Sequence, residues 1–142
     1  MTNSIYFLCS GNSCRGQIAE GYAKKFLPNW KIQSAGVRAE DINPTAVKVM
    51  SEDNIDISKQ QPKKIDDLFL NQATIIITLS GEARDKNIIP QTARWLHWPI
   101  NDPTIVSGND EEIMNAYRDV RDEIKQNIIK LTNYIKDHTQ QD

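Results

Sequence analysis

The chain has 142 residues, 39% of them apolar and 25% charged, and its 17 Lys and Arg against 19 Asp and Glu give a formal net charge of −2. That length predicts one domain over residues 1–142, large enough to build a core without staples, and the charge argues against a dominant electrostatic attachment to nucleic acid or anionic membrane. No apolar run approaches the ~20 residues of a membrane span, and Met1 to Ser4 lead straight into a strand-like run rather than a secretory signal, so a cytoplasmic protein is expected.

Ser4 to Leu8 is a short β-rich apolar run, too short for a helix, and reads as a strand buried on both faces. It ends at Cys9-Ser10-Gly11-Asn12-Ser13-Cys14-Arg15-Gly16. Beyond this polar loop Ile18, Ala19, Tyr22, Ala23 and Phe26 recur at helical spacing until Pro28. Lys31 to Ser34 alternates toward Ala35-Gly36 as a second strand. Pro44 suits the first turn of a helix that places Ala46, Val47 and Met50 on one face. Residues 56–58 and 61–62 read as loop, followed by a short helical stretch around Ile65, Leu68 and Phe69. Ala73 to Leu79, rich in β-branched residues, is the clearest buried strand, and Arg94 to Trp98 is a fourth, stopped by Pro99. After a loop over residues 100–109, Ile113, Tyr117, Val120, Ile124, Ile128, Leu131 and Ile135 step by three or four. That stripe predicts a long amphipathic helix with acidic residues at its start, packed on the domain's own sheet.

Strands alternating with helices, without hairpin signals, predict a three-layer α/β/α fold around a four-stranded parallel sheet. Such sheets bind ligands beyond the carboxyl ends of their strands, where the segment from Cys9 falls. The two cysteines are too few for a disulfide framework, so their meaning lies in position. A Cys-x5-Arg loop between strand and helix can curl its backbone N–H groups around a tetrahedral oxyanion, with the helix N-terminus adding positive potential. Gly11 supplies backbone freedom, and Asn12 tolerates a left-handed conformation while tying the loop together. Arg15 offers a planar fork to two oxyanion oxygens. The same field should lower the Cys9 pKa and favour the thiolate. Ser10, Gly11, Asn12, Ser13, Cys14 and Arg15 are thus the candidate oxyanion-binding residues, with Cys9 as nucleophile.

Cys9 to Arg15, with Gln17-Ile18-Ala19-Glu20-Gly21 behind it, resembles the oxyanion loop of the low-molecular-weight protein tyrosine phosphatases and of the thioredoxin-coupled arsenate reductases that share their fold. Ser34-Ala35-Gly36, Asn43-Pro44, Asp56-Ile57-Ser58, Ile77-Thr78-Leu79, His97-Trp98, Asp102-Pro103 and Val120 to Ile124 extend the resemblance along almost the whole chain, toward the arsenate reductase branch. The resemblance implies a flavodoxin-like sheet. It also implies that Asp102, in the loop after the fourth strand, acts as general acid and then general base.

The sequence departs from that pattern in four places. Ser80 and Asn87 stand where the reductases keep two relay cysteines, so electrons must come from an external thiol of glutaredoxin, glutathione or thioredoxin type, or from Cys14 as a redox candidate. Gly16 replaces a serine whose hydroxyl would bond the nucleophilic sulfur. No aromatic residue lies in 37–43 or in the stretch after Pro103, which suits small oxyanions or small phosphate esters better than phosphotyrosine. Asn12, Glu20 and Ser34 match a potassium-holding set, but Lys63 stands in place of its Asp, so an ammonium is expected there and no metal is predicted. His97 is expected to pack rather than ligate.

Three functions follow from these residues: an arsenate reductase drawing on an outside thiol, a phosphatase working through a phosphocysteine with Asp102 as acid and base, or a non-catalytic oxyanion-binding module. A monomer is expected, with a redox protein as the partner to consider.

Overall fold

The computed structural model describes residues 3–139. Four strands, β1 (Ser4–Cys9), β2 (Lys31–Gly36), β3 (Ile75–Thr78) and β4 (Arg94–His97), form one sheet in the order β2-β1-β3-β4, every pair parallel. β1 is central and wholly buried, as its unbroken apolar run predicts. Its alternate residues feed two cores. Ile5, Phe7 and Cys9 point into a cluster with Ile18, Tyr22, Ile124 and Ile128, while Tyr6 and Leu8 pack with Leu70, Ile76 and Ala83. Period-two alternation therefore places the Cys9 side chain on the same face as Ile5 and Phe7.

The helices are α1 (Arg15–Phe26), α2 (Pro44–Ser51), α3 (Asp67–Gln72), α4 (Gly81–Lys86) and α5 (Asp110–Thr139). Pro44 opens α2 as expected, and the Asn43 side chain caps it by accepting from the N–H groups of Thr45 and Ala46 at 2.8 and 3.1 Å. The long final helix lays Tyr117, Val120, Ile124, Ile128, Leu131 and Ile135 into the first cluster and packs on α1 and α2. Burying each of these large side chains contributes roughly 1.5–3 kcal/mol.

Sequence reasoning assigned no element to 81–86, where the structure has α4. The signals are local: Ser80 accepts from the Ala83 N–H at 3.1 Å, Glu82 lies in the first turn, and Arg84 and Lys86 lie in the last. The stretch expected to be helical from Ile65 begins only at Asp67, capped by the Asp66 side chain; Lys64 instead bridges to Gly36. The loop after β4 contains a single 3₁₀ turn over Pro103–Ile105.

Candidate active site

In this strand order the chain leaves β1 toward β2 on one side, and β3 lies on the other. A crevice opens beyond the carboxyl end of β1, and Cys9 is its last residue. The pocket there has a volume of about 340 Å³ and is lined by residues 9–15, by Arg38 and residues 40–44, and by Asp102 and Thr104. Every candidate taken from the sequence therefore meets at one pocket. The segment after β2 is laced to the loop by backbone bonds: Val37, Arg38 and Glu40 donate their N–H groups to the carbonyls of Cys9, Ser10 and Gly11 at 3.1, 2.8 and 2.9 Å.

Asn12 organises the loop. It is fully buried, and it, rather than Gly11, adopts the left-handed conformation (φ 55°). Its amide nitrogen donates to Ser34 Oγ at 2.9 Å, and its side-chain oxygen accepts from Gln17 Nε2 at 3.1 Å and from the Lys63 N–H at 2.9 Å. Gln60 in turn donates to the Gln17 side-chain oxygen at 2.8 Å. Gly11 serves close approach instead: a Cβ there would lie 2.7 Å from the Glu40 carboxyl carbon and 2.9 Å from both of its oxygens. Among the described residues, no carbonyl accepts from the N–H groups of Gly11, Ser13 or Cys14. α1 begins without a side-chain cap and without an acidic residue in its first turn. Donors without carbonyl partners and an uncapped helix start lining one pocket are what a tetrahedral anion requires.

Gly16 has a second meaning beside the missing hydroxyl. A Cβ on it would stand 2.8 Å from Cys9 Sγ and 2.9 Å from Asn12 Nδ2, both held in the packed interior. Gly16→Ala is expected to destabilise the protein by about 1–3 kcal/mol in urea unfolding, the usual cost of overpacking. Gly81→Ala, whose nearest neighbour would be an Arg84 nitrogen at 3.6 Å, should cost nothing comparable.

The electrostatics correct the expectation of a lowered Cys9 pKa. Burial pushes the thiol up, outweighing the downward pull of the Gly16 and Asn12 N–H groups, the Arg15 guanidinium and the Asn12 side chain. In buffer free of phosphate and sulfate, alkylation of Cys9 by iodoacetamide, followed by peptide mass, should keep accelerating above about pH 8.5, the ordinary thiol value. A rate already level at neutral pH would contradict this. Burial pushes Cys14 up to about 12. Both thiols are free and buried.

Arg15 is anchored by its own fold. Nη1 donates to the Ile100 carbonyl at 2.9 Å and to the Leu79 carbonyl at 3.5 Å, and Nη2 lies 3.8 Å from Asp102 Oδ2. Asp102 also accepts from the N–H and hydroxyl of Thr104 at 2.9 and 2.6 Å. Among the described residues, Lys63 reaches this set through its backbone N–H to Asn12 and not through the expected ammonium. The cation at Glu20 is Lys24, one helical turn away at 2.6 Å, and the other Glu20 oxygen accepts from Ser34 at 2.7 Å. No metal-binding cluster of His, Cys, Asp and Glu exists among the described residues. His97 Nδ1 is hydrogen-bonded to the Thr78 hydroxyl at 2.7 Å.

The rim charges went unread in the sequence. Arg38 reaches Glu82 on α4 at 2.8 and 3.0 Å and Glu40 at 3.4 Å, and Ser10 donates to Ser80 at 3.1 Å. The separation of Arg38 from Glu82 and of Ser10 from Ser80 along the chain leaves no local signal.

Comparison with known proteins agrees with this geometry. A family model described as low molecular weight phosphotyrosine protein phosphatase matches residues 4–141. A protein of Bacillus subtilis (strain 168) named arsenate reductase is 48% identical over 122 residues, covering 84% of this chain and 88% of its own. One of Halalkalibacterium halodurans with the same name is 47% identical, covering 87% and 91%. Among solved structures, an arsenate reductase in the phosphate binding state superposes with a TM-score of 0.78 at 28% identity, over 94% of this chain and 99% of that one. The tyrosine phosphatase Wzb from Escherichia coli K30 in complex with sulphate shares the fold, with a TM-score of 0.80 at 22% identity over 95% and 99%.

Proposed function

The chain belongs to the low molecular weight phosphotyrosine protein phosphatase family, and from that premise we propose that it reduces arsenate through a Cys9 adduct with electrons from an external thiol. The observation that carries the reductase reading is its 48% identity, over 84% of the chain, to a protein named arsenate reductase.

Each residue has a part in this reading. The N–H groups of residues 10–15, the start of α1 and Arg15 hold the oxyanion. The Cys9 sulfur bonds to arsenic as one arsenic oxygen leaves as water. No thiol stands at Ser80 or Asn87. Burial pushes the Cys14 thiol up to about 12, which disfavours its thiolate at neutral pH. Cys14 is thus a poor relay, and two molecules of an outside thiol complete the cycle. With arsenate and no added thiol, less than one arsenite per protein is expected; with thiol, many turnovers should follow. A stoichiometric burst without thiol would move the relay to Cys14 and overturn the external donor.

A phosphatase reading is favoured by one observation, the Asp102 carboxylate at the pocket, 3.8 Å from Arg15. In it Cys9 takes the phosphoryl group, and Asp102 protonates the leaving oxygen and then activates water. The pocket lining holds no aromatic residue, which suits small esters. No helix among the described residues is long and apolar enough to cross a membrane.

A further inference from the structure

We propose that Gln17, held in one orientation by Gln60, is a positioning residue for the oxyanion loop: it fixes the Asn12 carbonyl behind the pocket and so turns the Ser13 N–H into it. This rests on the oxyanion pocket that the reductase and phosphatase readings share. Neither glutamine lines that pocket, so both act through the loop.

The loop's carbonyls are held from behind, one by one. Those of Cys9, Ser10, Gly11 and Ser13 accept from the backbone N–H groups of Val37, Arg38, Glu40 and Asn43 at 3.1, 2.8, 2.9 and 2.9 Å. Any sequence that follows this path supplies those donors. The Asn12 carbonyl is the exception: among the described residues its partner is a side chain, Gln17 Nε2 at 2.9 Å. The described residues contain no cis peptide bond, so a carbonyl and the N–H that follows it point in opposite directions. Pinning the Asn12 carbonyl therefore sets the direction of the Ser13 N–H, which no carbonyl accepts and which belongs to a residue lining the pocket.

The polarity of the amides follows from groups whose identity is fixed. Lys63 donates its backbone N–H to the Asn12 side chain at 2.9 Å, so the Asn12 atom there is the oxygen. Gln17 meets that oxygen at 3.1 Å as well as the Asn12 carbonyl, and facing two acceptors it must present its NH2 group. Its own oxygen is left facing Gln60. Gln60 Nε2 donates to it at 2.8 Å and to the Gln17 main-chain carbonyl at 3.0 Å. Gln17 is fully buried, so without that donor its oxygen is a buried acceptor with no partner. A carboxylate in place of the Gln60 amide would instead draw the Gln17 NH2 group away from Asn12. Either change loosens the Asn12 carbonyl, and the loop must then reorganise each time it takes an oxyanion.

The test substitutes half-buried Gln60 and leaves buried Gln17 in place. Gln60→Met removes the donor without adding charge, whereas Gln60→Glu introduces a carboxylate that regains an O–H donor on protonation. Sulfate, which keeps its full charge from weakly acidic to neutral pH, is titrated by calorimetry. At neutral pH both variants should bind it about tenfold or more weakly than wild type, the scale of one hydrogen bond to a charged group. Gln60→Glu alone should recover most of that deficit below about pH 4.5, where a glutamic acid takes up its proton. In amide NMR spectra of isotope-labelled protein, sulfate should shift the Ser13, Gly11 and Cys14 signals of wild type. Gln60→Met should lose most of the Ser13 response and keep the other two, whereas a residue that merely supports the fold would weaken all of them alike. Sulfate affinity of Gln60→Met indistinguishable from wild type overturns the proposal, as does a Gln60→Glu deficit that persists at low pH or an equal loss at every amide. A wild type that binds no sulfate overturns the shared oxyanion reading and this one with it; tight binding in wild type and variants alike removes only the role of the two glutamines.

Discussion

Cys9→Ser should abolish arsenate reduction and para-nitrophenyl phosphate turnover together, by about 10⁴–10⁶-fold, the scale on which loss of a catalytic nucleophile is felt. Both reactions pass through a bond to the Cys9 sulfur, and a serine hydroxyl, far harder to ionise in a buried position, forms neither that bond nor a disulfide. The change is nearly isosteric. Cys9 sits 2% exposed at the end of β1, and its thiol donates a long hydrogen bond to the Ala35 carbonyl at 3.8 Å. The variant should therefore fold, and it should still bind phosphate, measurable by calorimetry, because the donors belong to residues 10–15 and the start of α1. Activity within tenfold of wild type in either assay would remove Cys9 from its assigned place. Retained activity with lost phosphate binding would be equally damaging.

Asp102→Asn should divide the two reactions, lowering para-nitrophenyl phosphate turnover by about 10²–10⁴-fold, as expected for loss of a general acid and base, while arsenate reduction falls less than tenfold. Asparagine keeps the side-chain oxygen that accepts from the Thr104 N–H at 2.9 Å, so the turn into Pro103–Ile105 survives while the proton-transfer group and the charge facing Arg15 are lost. Phosphate ester cleavage needs a proton on the leaving oxygen and then a base for water. Reduction through an outside thiol needs no hydrolysis of the cysteine adduct. Parallel losses in the two assays would mean that Asp102 acts mainly by holding Arg15, 3.8 Å away. An undiminished phosphatase would take the acid–base role from it.

Much of the site was legible because its signals are local. The apolar run before Cys9 produces a strand buried on both faces, and the polar interval to Arg15 must turn before α1 begins. Asn12 could be read as the loop's organiser from its residue type, though not that it, instead of Gly11, takes the left-handed conformation; that depends on Gln17, Ser34 and the Lys63 N–H closing around its side chain. Gly16 was legible as a missing hydroxyl, but its contact with the Cys9 sulfur emerges only when α1 docks. The cation at Glu20 could have been found from sequence, since Lys24 is one turn along the same helix. α4 is similarly legible from the Ser80 cap and the Glu82–Lys86 pair one turn apart.

The sequence by itself determined the strand and helix order, the parallel sheet, the place of Cys9 at its carboxyl edge and the absence of relay thiols at residues 80 and 87. These follow from periodicity, capping and residue identity, which act over a few neighbouring residues. Tertiary structure alone decided the state of the Cys9 thiol, the anchoring of Arg15 on Ile100 and the tie from Arg38 to Glu82 that shapes the pocket mouth. Burial and charge pairing act through space, between groups 85 and 44 residues apart in the last two cases. The balance between desolvation and nearby donors exists only once the chain has closed around the sulfur.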